Sequence, residues 1–320
     1  MMGSENTDGA AVGRDSSRAK GQRLRRRLIA AGLAGTVAIL AVSWASGAFA
    51  PYLLPSLQLE ASQSGSEGIL AGLTADIDGA AVEGLEANLS GLTYSASTDT
   101  LFTVINRPPG IAEISTDGAL LRYIPLEGAR DPEGITHVAG DLFVIAAERD
   151  QSLHLVRIGP ETEAITVGDQ SVLQLDLAAV PNKGLEGASW DARTGRLYLV
   201  QEMLPARIIV VDGLLPPDLV MNPFPTVTTQ SLPWAHQLAL VDLSSVSLHE
   251  TSGHLLVLSD ASGAVAEYDE AGRLVGMLPL DGGRHGLKQS VPQAEGLAID
   301  KSGRVFIVSE PNLFYRFDRG

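Results

Sequence analysis

A unit of two short apolar strands recurs five times between residues 89 and 310. This repeat narrows the possible architectures more than any other feature of the chain. Each unit opens with a short turn, runs into an apolar strand, passes a polar turn and ends in a second apolar strand closed by a polar residue. The units are Leu89–Tyr94 with Leu101–Asn106, Pro132–Thr136 with Leu142–Ile145, Leu185–Trp190 with Leu197–Glu202, Leu243–Ser247 with Leu255–Asp260, and Ala294–Ala298 with Val305–Glu310. Sixteen residues separate Ser90 from Asn106, Glu186 from Glu202 and Ser244 from Asp260, and fifteen separate Glu295 from Glu310. In the second unit the closing position falls on Ala147, or on Glu148 if one further residue is counted. Successive units begin 43, 53, 58 and 51 residues apart. Such spacing suits four-stranded blades of a β-propeller with loops of variable length.

Further strands follow each pair. Third strands are expected at Ile111–Ile114, Leu153–Val156, Ile208–Val211, Val265–Tyr268 and Phe314–Phe317. Fourth strands are expected at Leu120–Leu126, Val172–Leu177 and Leu274–Leu280, after turns such as Asp117-Gly118 and Glu270-Ala271-Gly272. The last unit has no fourth strand of its own, so one must come from upstream, around residues 73–87. Closing the ring in this way removes free sheet edges. The segment from Leu214 to Pro233, rich in proline, reads as a long loop over one face. Beyond residue 51 no long helical apolar stripe is present, which argues against a solenoid or a βα alternation. The fold class is therefore all-β, a propeller.

The N-terminus differs in kind. Residues 1–27 carry seven basic and three acidic side chains, and residues 28–50 carry no charge. Leu28–Ala50 is dominated by Ala, Leu, Ile, Val and Gly, and about 20 apolar residues suffice to cross a bilayer. Arg23, Arg25, Arg26 and Arg27 should stay cytoplasmic and send the rest outward. The competing reading is a cleaved signal peptide, with Ala48-Phe49-Ala50 as its cleavage site. The apolar stretch is long for such a peptide, and Pro51 would disfavour cleavage. The expected organisation is a basic cytoplasmic tail (1–27), a transmembrane signal-anchor helix (28–50), a juxtamembrane linker (51–79) and an extracytoplasmic propeller (80–320) in the periplasm.

The body, residues 51–320, holds sixteen basic against thirty-five acidic side chains, a net −19. That charge repels nucleic-acid phosphates and favours cations, although general solubility alone could account for it. With no cysteine, the chain has no disulfide, thiolate metal site, thiol nucleophile or lipidated cysteine. No P-loop, dinucleotide fingerprint or Gly-x-Ser-x-Gly elbow is present.

Repeat-equivalent positions of a propeller converge around its axis. The turn position holds Ser90, Glu133, Glu186, Ser244 and Glu295. The position closing the second strand holds Asn106, Ala147 or Glu148, Glu202, Asp260 and Glu310. Carboxylates brought together raise one another's pKa, and a bound cation relieves the repulsion. Oxygen-only ligands suit Ca²⁺, with Mg²⁺ or Mn²⁺ possible. The expected metal ligands are Glu133, Glu186 and Glu295, with Glu202 and Glu310. The competing reading leaves these glutamates bonding exposed backbone amides at the blade starts. His154 alternates within a strand and reads as structural. His285 and Arg284 lie in a loop before the last blade that could reach the channel mouth. There Arg284 could meet an anionic ligand. Arg149-Asp150 reads as an ion pair or turn.

Several stretches resemble the SdiA-regulated (YjiK-like) family of bacterial proteins. They are Asn88–Tyr94, Leu101–Pro108, Glu148–Asp150, Gly184–Gly187, Leu255–Ser259, Gln293–Gly296 and Ser309–Phe317. The resemblance runs from about residue 85 to the C-terminus. It implies a five-bladed β-propeller distantly related to NHL repeats, a single N-terminal membrane segment and a shared Ca²⁺ site. It carries no established activity. The expected function is a Ca²⁺-binding module for an extracytoplasmic ligand or protein. The alternative is a metal-dependent lactonase- or phosphoesterase-like hydrolase, with Glu202, Asp260 or His285 as base. A third reading is an envelope structural protein.

Overall fold

The computed structural model describes residues 68–167, 172–175, 184–202, 207–215, 225–229 and 240–320. The expected cytoplasmic tail, the membrane helix at 28–50 and most of the linker lie outside these residues. Among the described residues every regular element is a strand, and no helix is long and apolar enough to cross a membrane.

A strand β1 (Leu73–Ala81) precedes the first blade. That blade is built from β2 (Leu89–Ser95), β3 (Thr100–Asn106), β4 (Pro109–Ser115) and β5 (Leu120–Glu127). The second contains β6 (Pro132–Ala139), β7 (Leu142–Ala147) and β8 (Ser152–Arg157). After β9 (Ile165–Thr166) it is completed by β10 (Val172–Gln174). The third is β11 (Leu185–Asp191), β12 (Arg196–Gln201), β13 (Arg207–Asp212) and β14 (Thr226–Thr229). The fourth is β15 (Ser245–His249), β16 (His254–Ser259), β17 (Ala264–Tyr268) and β18 (Leu274–Pro279). The fifth is β19 (Ala294–Ile299), β20 (Val305–Ser309) and β21 (Leu313–Arg319), with β1 as its fourth strand. The molecule is a five-bladed propeller.

Three findings differ from the sequence reading. The closing strand β1, expected around residues 73–87, begins at Leu73 and so reaches into the segment 51–79 assigned to the linker. The proline-rich insertion contains β14, the fourth strand of the third blade, because its β-branched run Thr226-Val227-Thr228-Thr229 pairs with β13. The link from β8 to β10 visits the neighbouring blade, where β9 adds two parallel residues to the outer edge of β5.

Burial explains why the inner strands read as continuous apolar runs. Each blade is sandwiched between two others, so both faces of β7 and β20 are buried. Outer β5 instead alternates towards solvent. The apolar residues form five clusters, one per blade interface. Between the first two blades, for example, Phe102 and Ile111 pack with Phe143 and Ile145. Burial of such side chains contributes about 1.5–3 kcal/mol each.

Polar staples join the inner strands. The Thr93 hydroxyl accepts from His137 N (3.1 Å), Thr136 from Trp190 N (2.8 Å) and Ser189 from Leu248 N (2.9 Å). These hydroxyls are repeat-equivalent. In the fifth blade the position is Ala298, and the seam between fourth and fifth blades uses Ser245, which accepts from Leu297 N (3.2 Å).

The ring is closed by a clasp. β1 pairs antiparallel with β21 from Leu73↔Arg319 to Ala81↔Leu313. Ahead of it, Ile69 N and Leu70 N donate to the buried Glu267 carboxylate at 3.0 and 3.1 Å. The loop carrying His285 packs on β1, since Ala75 N donates to His285 O (2.7 Å) and His285 Nδ1 lies 3.0 Å from Leu73 O. That loop serves the clasp, so neither His285 nor the exposed Arg284 lines the channel mouth. His154 is buried and structural, with Nε2 2.8 Å from Ser152 Oγ.

Candidate functional site

The Glu-Gly pairs sit on β-bulges. In the second, third and fifth blades the ladder skips one residue between Pro132 and Gly134, Leu185 and Gly187, and Ala294 and Gly296. The skipped residues are Glu133, Glu186 and Glu295. A bulge leaves its extra residue unpaired and re-aims its side chain. The following glycine lets neighbouring blades meet. A Cβ at Gly187 would lie 2.8 Å from Ser245 Cα, and one at Gly134 would lie 3.1 Å from Gly187 C.

Register also settles the second position. Ala147, Gln201 and Ser309 pair with Pro132, Leu185 and Ala294 respectively. Glu148 is therefore the equivalent of Glu202 and Glu310, and Ala147 is buried in the core. Fifteen residues separate Glu133 from Glu148, the same spacing as Glu295 to Glu310.

These positions surround one cavity of about 480 Å³ at one end of the propeller axis. All five expected ligands line it: Glu133, Glu186, Glu202, Glu295 and Glu310. Glu148, Asp131, Asp242 and Asp260 line it as well, making, among the described residues, nine carboxylates against the two guanidinium groups of Arg107 and Arg149. Register pairing could have exposed Glu148. Asp131 and Asp242 share the position just before their units, held by Asn88, Gly184 and Gln293 in the other three, a repeat signal that could have found them. Arg149 and Asp150 lie in a turn, closed by Gln151 N donating to Glu148 O (3.1 Å), and each pairs outward rather than with the other. Arg149 Nη2 binds Asp131 Oδ2 at 2.7 Å, and Arg130 Nη1 binds Asp150 Oδ1 at 3.2 Å.

Some of the carboxylates are held by hydrogen bonds. Asn106 Nδ2 donates to Glu133 Oε1 (2.9 Å), Gly184 N to Glu148 Oε1 (3.2 Å) and Ala294 N to Asp260 Oδ1 (3.0 Å). Asp242 accepts from the Ser259 hydroxyl and from Ala261 N. Among the described residues, no hydrogen-bond donor and no basic side chain is paired with the carboxylate of Glu186 or Glu295.

The electrostatic consequence is strong. Burial, and then the charges of Glu133, Glu148, Glu202 and Glu295, raise Glu186 well above the ordinary carboxylate value. Burial, followed by Asp260, Glu133, Glu310 and Glu202, pushes Glu295 up to about 8. Glu133 is raised by burial against the opposing hydrogen bonds of Ser90 and Asn106. These carboxyls thus hold their protons more tightly than free ones, and a bound cation would displace those protons. The wall's donors are all oxygen, the chemistry of hard cations. Among the described residues no three His, Asp or Glu side chains converge into a finished metal centre; they line the wall of a larger space.

At the opposite end of the axis a smaller cavity of about 60 Å³ is lined by Tyr94, His137, Trp190 and His249, among others. Burial lowers both histidines below their ordinary value.

A family profile described as SdiA-regulated matches residues 66–318. Among solved structures, the chain is similar to one from a nidogen/laminin complex at 12% identity and a TM-score of 0.43, covering 70% of this chain and 73% of that one. It is also similar to a luciferin-regenerating enzyme at 15% identity and a TM-score of 0.45, covering 77% of this chain and 79% of that one.

Proposed function

The chain belongs to the SdiA-regulated family, and from that premise and the acidic cavity we propose a cation-dependent binding module, tethered to a membrane, that receives a ligand or protein outside the cytoplasm. The observation that carries this reading is that Glu186 and Glu295, from different blades, line one cavity with no counter-charge beside either among the described residues. Concentrated buried carboxylates are costly unless paired or bound to a cation. Ca²⁺ matches the donor set, because it takes six to eight oxygens in flexible geometry. Glu133, Glu186 and Glu295 would hold it, joined by Glu202 and Glu310. The reading requires these side chains to turn towards one another, which rotation about their side-chain bonds allows. When bound, the ion supplies the positive charge that the wall lacks.

The tether in this proposal is the uncharged stretch 28–50, with the propeller on the periplasmic side. Carbonate extraction of membranes from cells expressing the full chain tests it. Retention in the pellet supports an anchor. Release, with a mature N-terminus near residue 51, supports a cleaved signal.

Hydrolysis of a lactone or phosphoester needs a free base beside the cation. Of the candidates, His285 lies on the clasp, and one Asp260 oxygen is engaged by Ala294 N. Binding has the better support, because the cavity wall offers a cation oxygens from several blades while two of the three base candidates are otherwise engaged.

Calorimetry of the full-length chain with Ca²⁺, beside Glu133→Gln, Glu186→Gln and Glu295→Gln, tests the cation reading. Loss of binding in all three supports one shared centre. A wild-type chain that binds no divalent cation overturns it.

A further inference from the structure

We propose that Arg107 and Arg149 form an oxyanion-binding lip on the acidic cavity, so that the ligand of this site carries a carboxylate or phosphate group. The inference rests on the cation reading above and adds the chemical class of what that site receives.

The two arginines occupy equivalent places. Each follows the residue that closes the second strand of its blade: Arg107 follows Asn106, and Arg149 follows Glu148. The same position holds Met203, Ala261 and Pro311 in the other three blades. At this position a basic residue occurs in the first two blades, and among the described residues lining the cavity the basic ones are Arg107 and Arg149.

One carboxylate anchors both groups. Arg149 Nη2 binds Asp131 Oδ2 at 2.7 Å, and Arg107 Nη2 lies 3.8 Å from Asp131 Oδ1. Asp131 is nearly buried, with 8% of its side chain exposed, whereas Arg107 and Arg149 expose 71% and 53%. Each guanidinium has five N–H donors in a planar fork. Arg149 spends one of these on Asp131, and Arg107 holds it only by charge. Two cations share one anion, leaving a net positive charge and most of the donors at the rim. Planar forks of this kind suit bidentate recognition of carboxylate or phosphate.

The surroundings decide when such a ligand binds. The same cavity holds nine carboxylates, which repel an anion. Oxyanion binding should therefore be weak until a cation neutralises the wall. The two binding events should then strengthen each other by the same factor, because linkage is reciprocal.

The test is calorimetry of the full-length chain with Ca²⁺, and with methyl phosphate or acetate, alone and together. The expected result is little oxyanion binding in chelator, binding when Ca²⁺ is present, and equal mutual enhancement. Whichever anion raises Ca²⁺ affinity more identifies the group. Arg107→Ala and Arg149→Ala should each weaken oxyanion binding about ten-fold or more while retaining Ca²⁺ binding. Arg149→Lys keeps a charge near Asp131 and loses the fork, so it should fall between. Should Arg149→Ala fail to fold, Arg107→Ala still decides, because Arg107 makes no hydrogen bond to Asp131 and its side chain is largely exposed. If Ca²⁺ binds and neither anion changes its affinity, the lip is overturned and the cation reading stands. Arginine variants that bind the anion like wild type overturn the lip as well. If Ca²⁺ does not bind, both readings fall.

Discussion

A Cβ placed on Gly187 would stand 2.8 Å from the Cα of Ser245, on the inner strand of the next blade. The neighbouring Glu186 faces the acidic cavity. Each Glu-Gly pair thus has two separate duties: the glycine lets two blades meet at the axis, and the glutamate charges the cavity wall. The contact is made by backbone atoms, so a side chain at Gly187 has nowhere to go.

Gly187→Ala should destabilise the propeller by about 1–3 kcal/mol, the usual cost of overpacking a tight contact. Gly159→Ala is the control, because the nearest atom to its Cβ would be Thr162 Oγ1 at 3.9 Å. Equilibrium unfolding in urea compares the two. Equal stability of both variants would show that the blade contact yields easily.

Stability should depend on pH through Glu295. Its carboxyl is raised to about 8 in the folded chain, above the ordinary value of 4.5, first by burial and then by neighbouring carboxylates. The folded state therefore holds this proton more tightly than the unfolded state. The resulting stabilisation is complete below pH about 4.5 and is lost as pH rises through about 8. Glu186, raised in the same direction, adds to the slope. In chelator the melting temperature should fall from pH 5 to pH 8.5, and Glu295→Gln should flatten the fall. A melting temperature that rises over this window would contradict the assignment.

Thr136→Val removes the acceptor for Trp190 N, which is buried between the second and third blades. Leaving a buried N–H unpaired costs about 1–3 kcal/mol. In a domain of this size that corresponds to a drop of roughly 2–4 °C per kcal/mol in melting temperature. A melt unchanged from wild type would mean that the staple is dispensable.

Glu267→Ala should loosen the clasp. It removes the acceptor for Ile69 N and Leu70 N, along with a contact 2.6 Å from His254 Nδ1. Limited proteolysis should then cut near residues 68–72 before the blades are attacked. A chain starting at residue 80 should fare worse, because it lacks most of β1 and leaves β21 as an open edge. Normal folding of that shortened chain would show that closure by β1 is dispensable.

Much of this was legible in the residues. Leu185-Glu186-Gly187 and Ala294-Glu295-Gly296 announced equivalent inner strands, and the repeat placed Glu133, Glu186, Glu202, Glu295 and Glu310 at positions that line one cavity. Glu148 was ambiguous, because the apolar run of the second unit ends in Ala146-Ala147, and only the pairing of Ala147 with Pro132 shows that the closing position is the next residue. His285 and Arg284 looked as close to the mouth as any loop residue, and only the packing of their loop on β1 sends them elsewhere.

By itself the sequence determined that this chain repeats a strand pair five times, that a strand from upstream must close the ring, and that acidic positions recur in phase. Those properties are periodic, and period survives in one dimension. Tertiary structure decided the register in which β1 pairs with β21, that nine carboxylates of the described residues share a wall, and that Arg107 and Arg149 lean on the same Asp131. Those properties depend on distances between blades far apart in the chain, which are set when apolar faces pack and glycines let the inner strands meet.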